Sequence, residues 1–178
     1  MEWKMNVSLV VPCFNEADNL PILINRCGKL IEKYSVEVIL VDNGSTDDSS
    51  SLIAEYPHIK LVKISKNEGY GNGILQGLHS ATGDILAWTH ADLQTDPNDL
   101  IRGLQYFLDS DDPQRIFVKG KRYGRPLLDC MFTYGMSIFE TILLRKSLWD
   151  INAQPTIFHR SFFETWKNPP KDFSLDLF

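Results

Sequence analysis

The sequence is short of cysteine, of long apolar runs and of positive charge, and each shortage closes off a class of protein. Its three cysteines, Cys13, Cys27 and Cys130, are odd in number, widely spaced and form no CxxC pair. That excludes a disulfide framework and a thiolate zinc site, and it leans towards a reducing compartment. No apolar run reaches the roughly 18 residues of a simple transmembrane span. Residues 1–6 lack the apolar stretch of a signal peptide. With 18 basic against 23 acidic side chains the net charge is −5, unlike that of a general nucleic-acid binder. What is present is globular: 178 residues, 43% apolar and 11% aromatic, fit one domain with a core that needs no staples.

The charge is divided unevenly. Residues 1–113 hold 8 basic and 17 acidic side chains, whereas residues 114–178 hold 10 and 6. Arg115, Lys119, Lys121, Arg122 and Arg125 concentrate the basic part, which reads either as a solvated loop or as a surface for an anionic partner. Apolar runs at residues 7–11, 36–41, 59–64 and 84–89 predict strands. Between them the periodicity predicts helices at about 18–33, capped by Asn15 or Asp18, at 47–55 and at 74–81. Near-continuous apolar strands alternating with helices argue for an α/β fold, a mostly parallel sheet with helices on both faces.

Beyond residue 113 the texture changes. Residues 116–118 predict one more strand, and residues 127–146 read as a long helix. Its polar positions, Asp129, Thr133, Ser137, Glu140 and Thr141, form one narrow stripe. Such a helix is either packed on most sides, within the domain or a homodimer, or laid against a membrane surface beside the basic cluster. Residues 173–178 begin a further amphipathic element.

In a parallel sheet, ligands collect beyond the carboxyl ends of the strands. Three predicted strand ends carry polar clusters there: Asn15-Glu16, residues 42–47 and residues 90–96. Each alone reads as helix caps. Converging on one sheet edge, they supply carboxylates and amides for a base and ribose, and a metal-binding carboxylate for a diphosphate. The glycine-rich Asn67-Glu68-Gly69-Tyr70-Gly71-Asn72-Gly73 fails the dinucleotide test, because G-x-G-x-x-G would need glycine where Ile74 or Gln76 stands. The loop also follows the third strand, which disfavours a nicotinamide oxidoreductase. In His90-Ala91-Asp92-Leu93-Gln94, a spacing of two along extended backbone points His90, Asp92 and Gln94 to one side, where they would face a single Mg²⁺ or Mn²⁺. Read structurally, His90 is a hydrogen-bonded turn residue and Asp92 a helix cap.

In order along the chain stand Val10-Val11-Pro12-Cys13-Phe14-Asn15-Glu16 and Val41-Asp42-Asn43-Gly44-Ser45-Thr46-Asp47. Then come Asn67-Glu68-Gly69-Tyr70-Gly71, Ala91-Asp92-Leu93-Gln94-Thr95-Asp96-Pro97 and Gly120-Lys121-Arg122. This set, over about residues 5–125, resembles the family 2 glycosyltransferases of GT-A (Rossmann-like) fold, especially the polyprenyl-phosphate hexose transferases. The resemblance implies that Pro12, Asn15, Glu16, Asp42, Asn43, Gly69 and Gln94 line a nucleotide-sugar site. It implies Asp92 as main ligand of Mg²⁺ or Mn²⁺, with Gln94 near the ion, and Lys121 and Arg122 at an acceptor phosphate. The chain departs from the family at Asn43 and His90, where relatives often carry carboxylates, and it ends without their late basic motif.

The expected protein is therefore an inverting, metal-dependent glycosyltransferase. Residues 1–113 would bind a UDP- or GDP-hexose donor, and residues 114–178 would meet the acceptor, a polyprenyl phosphate at the cytoplasmic face of a membrane. A sugar-hydroxyl acceptor would need a carboxylate base, for which Asp172 and Asp176 are the candidates. The rival from another class is a non-catalytic nucleotide-sugar-binding or assembly subunit.

Overall fold

The computed structural model describes residues 5–122 and 152–178. Strands β1 (Val7–Cys13), β2 (Glu37–Asn43), β3 (Lys60–Ile64), β4 (Ile85–Trp88), β5 (Phe117–Lys119) and β6 (Thr156–His159) form one sheet in the order β3-β2-β1-β4-β6-β5. The first four pair in parallel; β6 runs antiparallel to β4, and β5 antiparallel to β6.

Side chains alternate across β1 and β2 with the period of two that extended backbone imposes. Leu9, Val11, Val38 and Leu40 face a core shared with α1 (Leu20–Tyr34), α2 (Ser49–Ala54) and α4 (Asp99–Leu108). Val10, Ile39 and Val41 face the other way, against α3 (Tyr70–Ser80), with Trp88 and Phe158 beside them. Both faces are thus covered, as the continuous apolar strands predict. A short helix α5 (Arg160–Phe163) and a 3-10 turn (Phe173–Leu177) complete the second face.

Three local expectations are corrected. Neither Asn15 nor Asp18 caps α1: the helix starts at Leu20, and the Glu16 carbonyl accepts the N–H groups of Asn19 and Leu20 at 2.9 and 3.0 Å. Asn15 has positive φ (55°), its side chain engaged elsewhere. Helix α3 begins at Tyr70, four residues before the predicted start, and Gly71 and Gly73 are buried in its first turn. Strand β6 was not foreseen, and the strand predicted at 116–118 sits one residue later as the antiparallel edge. The long helix expected at 127–146, with Arg125 and Cys130, lies outside the described residues. Among the described residues no helix is long and apolar enough to cross a membrane.

Candidate functional site

The parallel register brings the carboxyl ends of three strands to one edge: Cys13 stands opposite Asp42, and Val10 opposite Trp88. Over that edge opens a cleft of about 450 Å³. Pro12, Glu16, Asn43, Gly69, His90 and Asp92 line it, joined by Phe14, Asn67, Tyr70 and Phe173. The three polar clusters of the sequence do converge.

The first two turns are stapled to each other. The Asn15 N–H donates to Ser45 Oγ at 3.0 Å, and the Thr46 N–H donates to Asn15 Oδ1 at 2.8 Å. Glu16 N–H reaches Ser49 Oγ and Ala17 N–H reaches Asp47 Oδ2, both at 3.0 Å. Hydrogen bonds from Ser49 and Ala17 hold the Asp47 carboxyl below its usual range. Asp42, 1% exposed, accepts the Ser45 N–H at 2.9 Å and so shapes the turn from beneath. Asn15 and Asp42 therefore build the wall and are not among the residues that line the cleft.

Asn43 is 4% exposed and lines the cleft. Its Nδ2 donates to the Gly69 carbonyl at 3.0 Å and to Asn67 Oδ1 at 3.3 Å, tying β2 to the start of α3. Its Oδ1 has no hydrogen-bond partner among the described residues. Gly69 adopts φ 112°, a conformation few side chains tolerate. A Cβ there would lie 2.4 Å from the Lys171 carbonyl oxygen, so the C-terminal segment passes directly over this loop. The Asn72 N–H fixes that crossing by donating to the same carbonyl at 2.9 Å.

After β4, His90 and Asp92 both line the cleft, but Gln94 is exposed and outside it. The spacing of two fails at its third member because Leu93 turns into the left-handed region at φ 62°, ending the extended run. The Gln94 N–H folds back to donate to Asp92 Oδ1 at 3.0 Å. Among the described residues no three His, Cys, Asp or Glu side chains gather as a ready-made metal cluster. His90 stacks on Tyr70 with ring centroids 5.5 Å apart, and Phe173 also stacks on Tyr70, at 4.8 Å.

Behind Tyr70, Asp176 is buried, its side chain 3% exposed, and its Oδ1 lies 3.1 Å from Lys119 Nζ. Burial, and then the Asp176 charge, push the Tyr70 hydroxyl far above its usual range, so it stays protonated. Asp172 is exposed, and hydrogen bonds from the Ser174 hydroxyl and then the Ser174 N–H, the latter at 2.9 Å, hold its carboxyl low. Lys121 lines a separate cavity of about 480 Å³ flanked by α4 and β5, and Arg122 follows it in the chain. Cys13 borders the cleft, but burial drives its thiol pKa up, and Cys27 is pushed up to about 12 for the same reason. Neither is a ready nucleophile.

Sequence reading missed Tyr70, Phe173, Gln154 and the Lys119–Asp176 pair. Tyr70 stood inside a motif read for its glycines. The others come from distant segments and carry no local signal.

This sheet order with a cleft over the parallel strand ends is the architecture of the GT-A glycosyltransferases. Among solved structures, glucosyl-3-phosphoglycerate synthase from Mycobacterium tuberculosis, in complex with Mn²⁺, UDP and phosphoglyceric acid, superposes with a TM-score of 0.79 at 19% identity. The match covers 98% of this chain and 62% of that one. The mannosyltransferase PcManGT from Pyrobaculum calidifontis, with GDP-Man and Mn²⁺, gives 0.69 at 22% identity over 98% and 50%. The sequence profile of glycosyl transferase family 2 matches residues 8–166, and the chain belongs to that family. An undecaprenyl-phosphate 4-deoxy-4-formamido-L-arabinose transferase from Pectobacterium atrosepticum is 38% identical over 110 residues, 57% of this chain and 33% of that protein. The corresponding transferase from Enterobacter sp. is 41% identical over 105 residues, 54% and 32%. The chain thus spans about a third of the length of the curated relatives it matches.

Proposed function

We propose that the protein moves a sugar from a UDP- or GDP-linked donor to a polyprenyl phosphate, peripherally at the cytoplasmic face of a membrane. The observation that carries this reading is the joint presence of Glu16, Asn43, His90 and Asp92 in one cleft over the strand ends. In it, residues 1–113 serve the donor and residues 114–178 the acceptor. Pro12, Glu16, Asn43 and Gly69 contact the nucleotide sugar, over turns shaped by Asn15 and Asp42. The unpartnered Asn43 Oδ1 suits a donor N–H of the ligand.

A divalent cation fits the donor set. Mg²⁺ and Mn²⁺ accept one or two protein carboxylates and complete their shell with substrate phosphates and water. Asp92 offers a carboxylate with one oxygen already oriented by the Gln94 N–H, and His90 stands beside it in the cleft. Gln94, whose side chain is exposed, fits that shell less well. When bound, the ion neutralises charge on the departing nucleotide diphosphate. The protein's own part is positioning: the stapled turns fix the donor, and Lys121 and Arg122 attract an acceptor phosphate. That acceptor is already anionic at pH 7 and needs no general base. Asp176, buried against Lys119, fits this economy, since it is poorly placed to take a proton from a hydroxyl.

The test is thermal shift against UDP, GDP and their hexose derivatives, with Mg²⁺ or Mn²⁺, followed by turnover on polyprenyl phosphate. A matching donor at 100 times its dissociation constant adds about 2.7 kcal/mol of stability. Asp92→Asn keeps the fold and loses the cation-dependent part of that gain, at least about tenfold in affinity. Unchanged cation-dependent binding in folded Asp92→Asn removes Asp92 as ligand. Donor binding without turnover on any acceptor favours a non-catalytic subunit instead.

A further inference from the structure

The cleft's aromatic wall is held from behind by a buried polar chain. Gln154, 5% exposed, lies next to β6 and 84 positions from Tyr70. Its Nε2 donates to the Tyr70 hydroxyl at 3.4 Å and to Asp176 Oδ1 at 3.3 Å, while its Oε1 accepts the Thr156 hydroxyl at 3.3 Å. The Asp176 carboxylate, paired with Lys119 and able only to accept, fixes which end of the amide is nitrogen, and both amide hydrogens are then used. Lys119, the last residue of β5, closes the chain on Asp176. On the cleft side the Tyr70 ring stacks with both Phe173 and His90. Phe173 and Asp176 ride on the same C-terminal turn, so that one turn grips both the ring and, through Gln154, its hydroxyl.

A buried ion pair is a poor way to gain stability, because apolar side chains of similar volume commonly do as well or better. This one does something a pair of leucines would not: it pins the hydroxyl end of the Tyr70 ring in place. Shifting that ring shifts the imidazole stacked on it, two residues before Asp92.

We propose that Asp176 is a positioning residue, which through Gln154 and Tyr70 sets where the His90 ring sits in the cleft. The same pair ties the cleft to β5 and hence to Lys121 and Arg122, so donor and acceptor sides share one support. The kinetic half of this inference rests on the transferase reading; the structural half does not.

Histidine-labelled protein tests the structural half by NMR, without any ligand. The four imidazoles are His58, His79, His90 and His159. In Tyr70→Phe, which keeps the ring and removes only the anchoring hydroxyl, the His90 ring resonances shift while the other three stay in place. Asp176→Asn shifts them in the same direction, and Asp176→Glu returns them towards the native positions. A His90 signal unmoved in Tyr70→Phe overturns the proposal, even if Asp176→Asn fails to fold. With a donor that turns over, Asp176→Asn lowers kcat about tenfold with KM nearly unchanged, the usual scale for loss of an orienting partner. The Tyr70→Phe, Asp176→Asn double variant loses no more than the worse single one. Native kcat in Asp176→Asn, or losses that multiply, overturns the positioning role. A wild-type protein that turns over no nucleotide sugar strikes the transferase reading alone, and the NMR result still decides the linkage.

Discussion

The two halves of the sheet reach the cleft in different ways. In the parallel half, β1, β2 and β4 each deliver cleft-lining side chains at the strand end or just beyond it, so Glu16, Asn43 and His90 sit within a few residues of their strand ends. Short hydrogen bonds between neighbouring turns, such as Thr46 to Asn15, hold that edge. In the antiparallel half, β6 and β5 line no part of the cleft; they support it. Lys119, Gln154 and Asp176 come from three separate stretches and meet only behind Tyr70. One half lines the cleft and the other braces it from behind.

The contrast breaks most readily at Phe158. This ring, 0% exposed, packs on Trp88, Phe117 and Trp166 at centroid distances of 5.6, 5.9 and 5.7 Å. If aromatic packing holds the antiparallel half on, Phe158→Ala costs about 3–5 kcal/mol in denaturant unfolding. A loss below about 1 kcal/mol would mean that β6 is held by something else.

Glu37, at the amino end of β2, gives a smaller, pH-dependent effect in the parallel half. Burial alone would raise its pKa, but hydrogen bonds from the Ser8 hydroxyl and Thr82 N–H, with Lys60 at 3.8 Å, lower it below the ordinary 4.5. A depressed folded pKa means that the stabilisation is present above the unfolded value and is lost as pH falls through the folded one. Glu37→Gln is expected to cost about 1 kcal/mol near pH 7 and to flatten the acid limb of the stability profile. Unfolding midpoints measured from pH 7 to about 3 check this; parallel wild-type and variant curves would refute it.

The smallest effect is predicted for Lys171→Ala. Its bridge to Glu68 is 3.0 Å long, but the two side chains are 60% and 54% exposed, so the loss stays under about 1 kcal/mol. The C-terminal segment is held by the Asn72 N–H and buried Leu175 instead. A thermal melt showing a loss above about 2 kcal/mol would make surface charge its fastener.

The same division explains what was legible in the sequence. Strands β1, β2 and β4 announce themselves because both faces are buried and their residues run almost wholly apolar. Strand β6 does not, being four residues with Thr156 and His159 at its ends. The first turn of α3 reads as loop because glycine is a poor helix former. Only the tertiary structure shows why Gly71 is there: a Cβ would meet the Asp172 carbonyl oxygen at 2.7 Å. Of the candidate site, Pro12, Glu16, Asn43, Gly69, His90 and Asp92 were visible as motif members. Local backbone turns Gln94 out of the cleft, and no local pattern encodes the meeting of Tyr70, Gln154 and Asp176.

The antiparallel edge has one more consequence, which concerns chain length. Lys119 pairs with Thr156, 37 positions on, whereas Ser8 pairs with Glu37 after 29, with helix α1 filling the crossover between them. Closing a flexible loop costs only about 0.6 kcal/mol more for each doubling of its length. A parallel pair needs a crossover that returns the chain to the same end of the sheet, whereas an antiparallel pair such as β5 and β6 sets no such requirement. This architecture can therefore lengthen between β5 and β6 at small entropic expense while leaving the cleft over β1, β2 and β4 as it is.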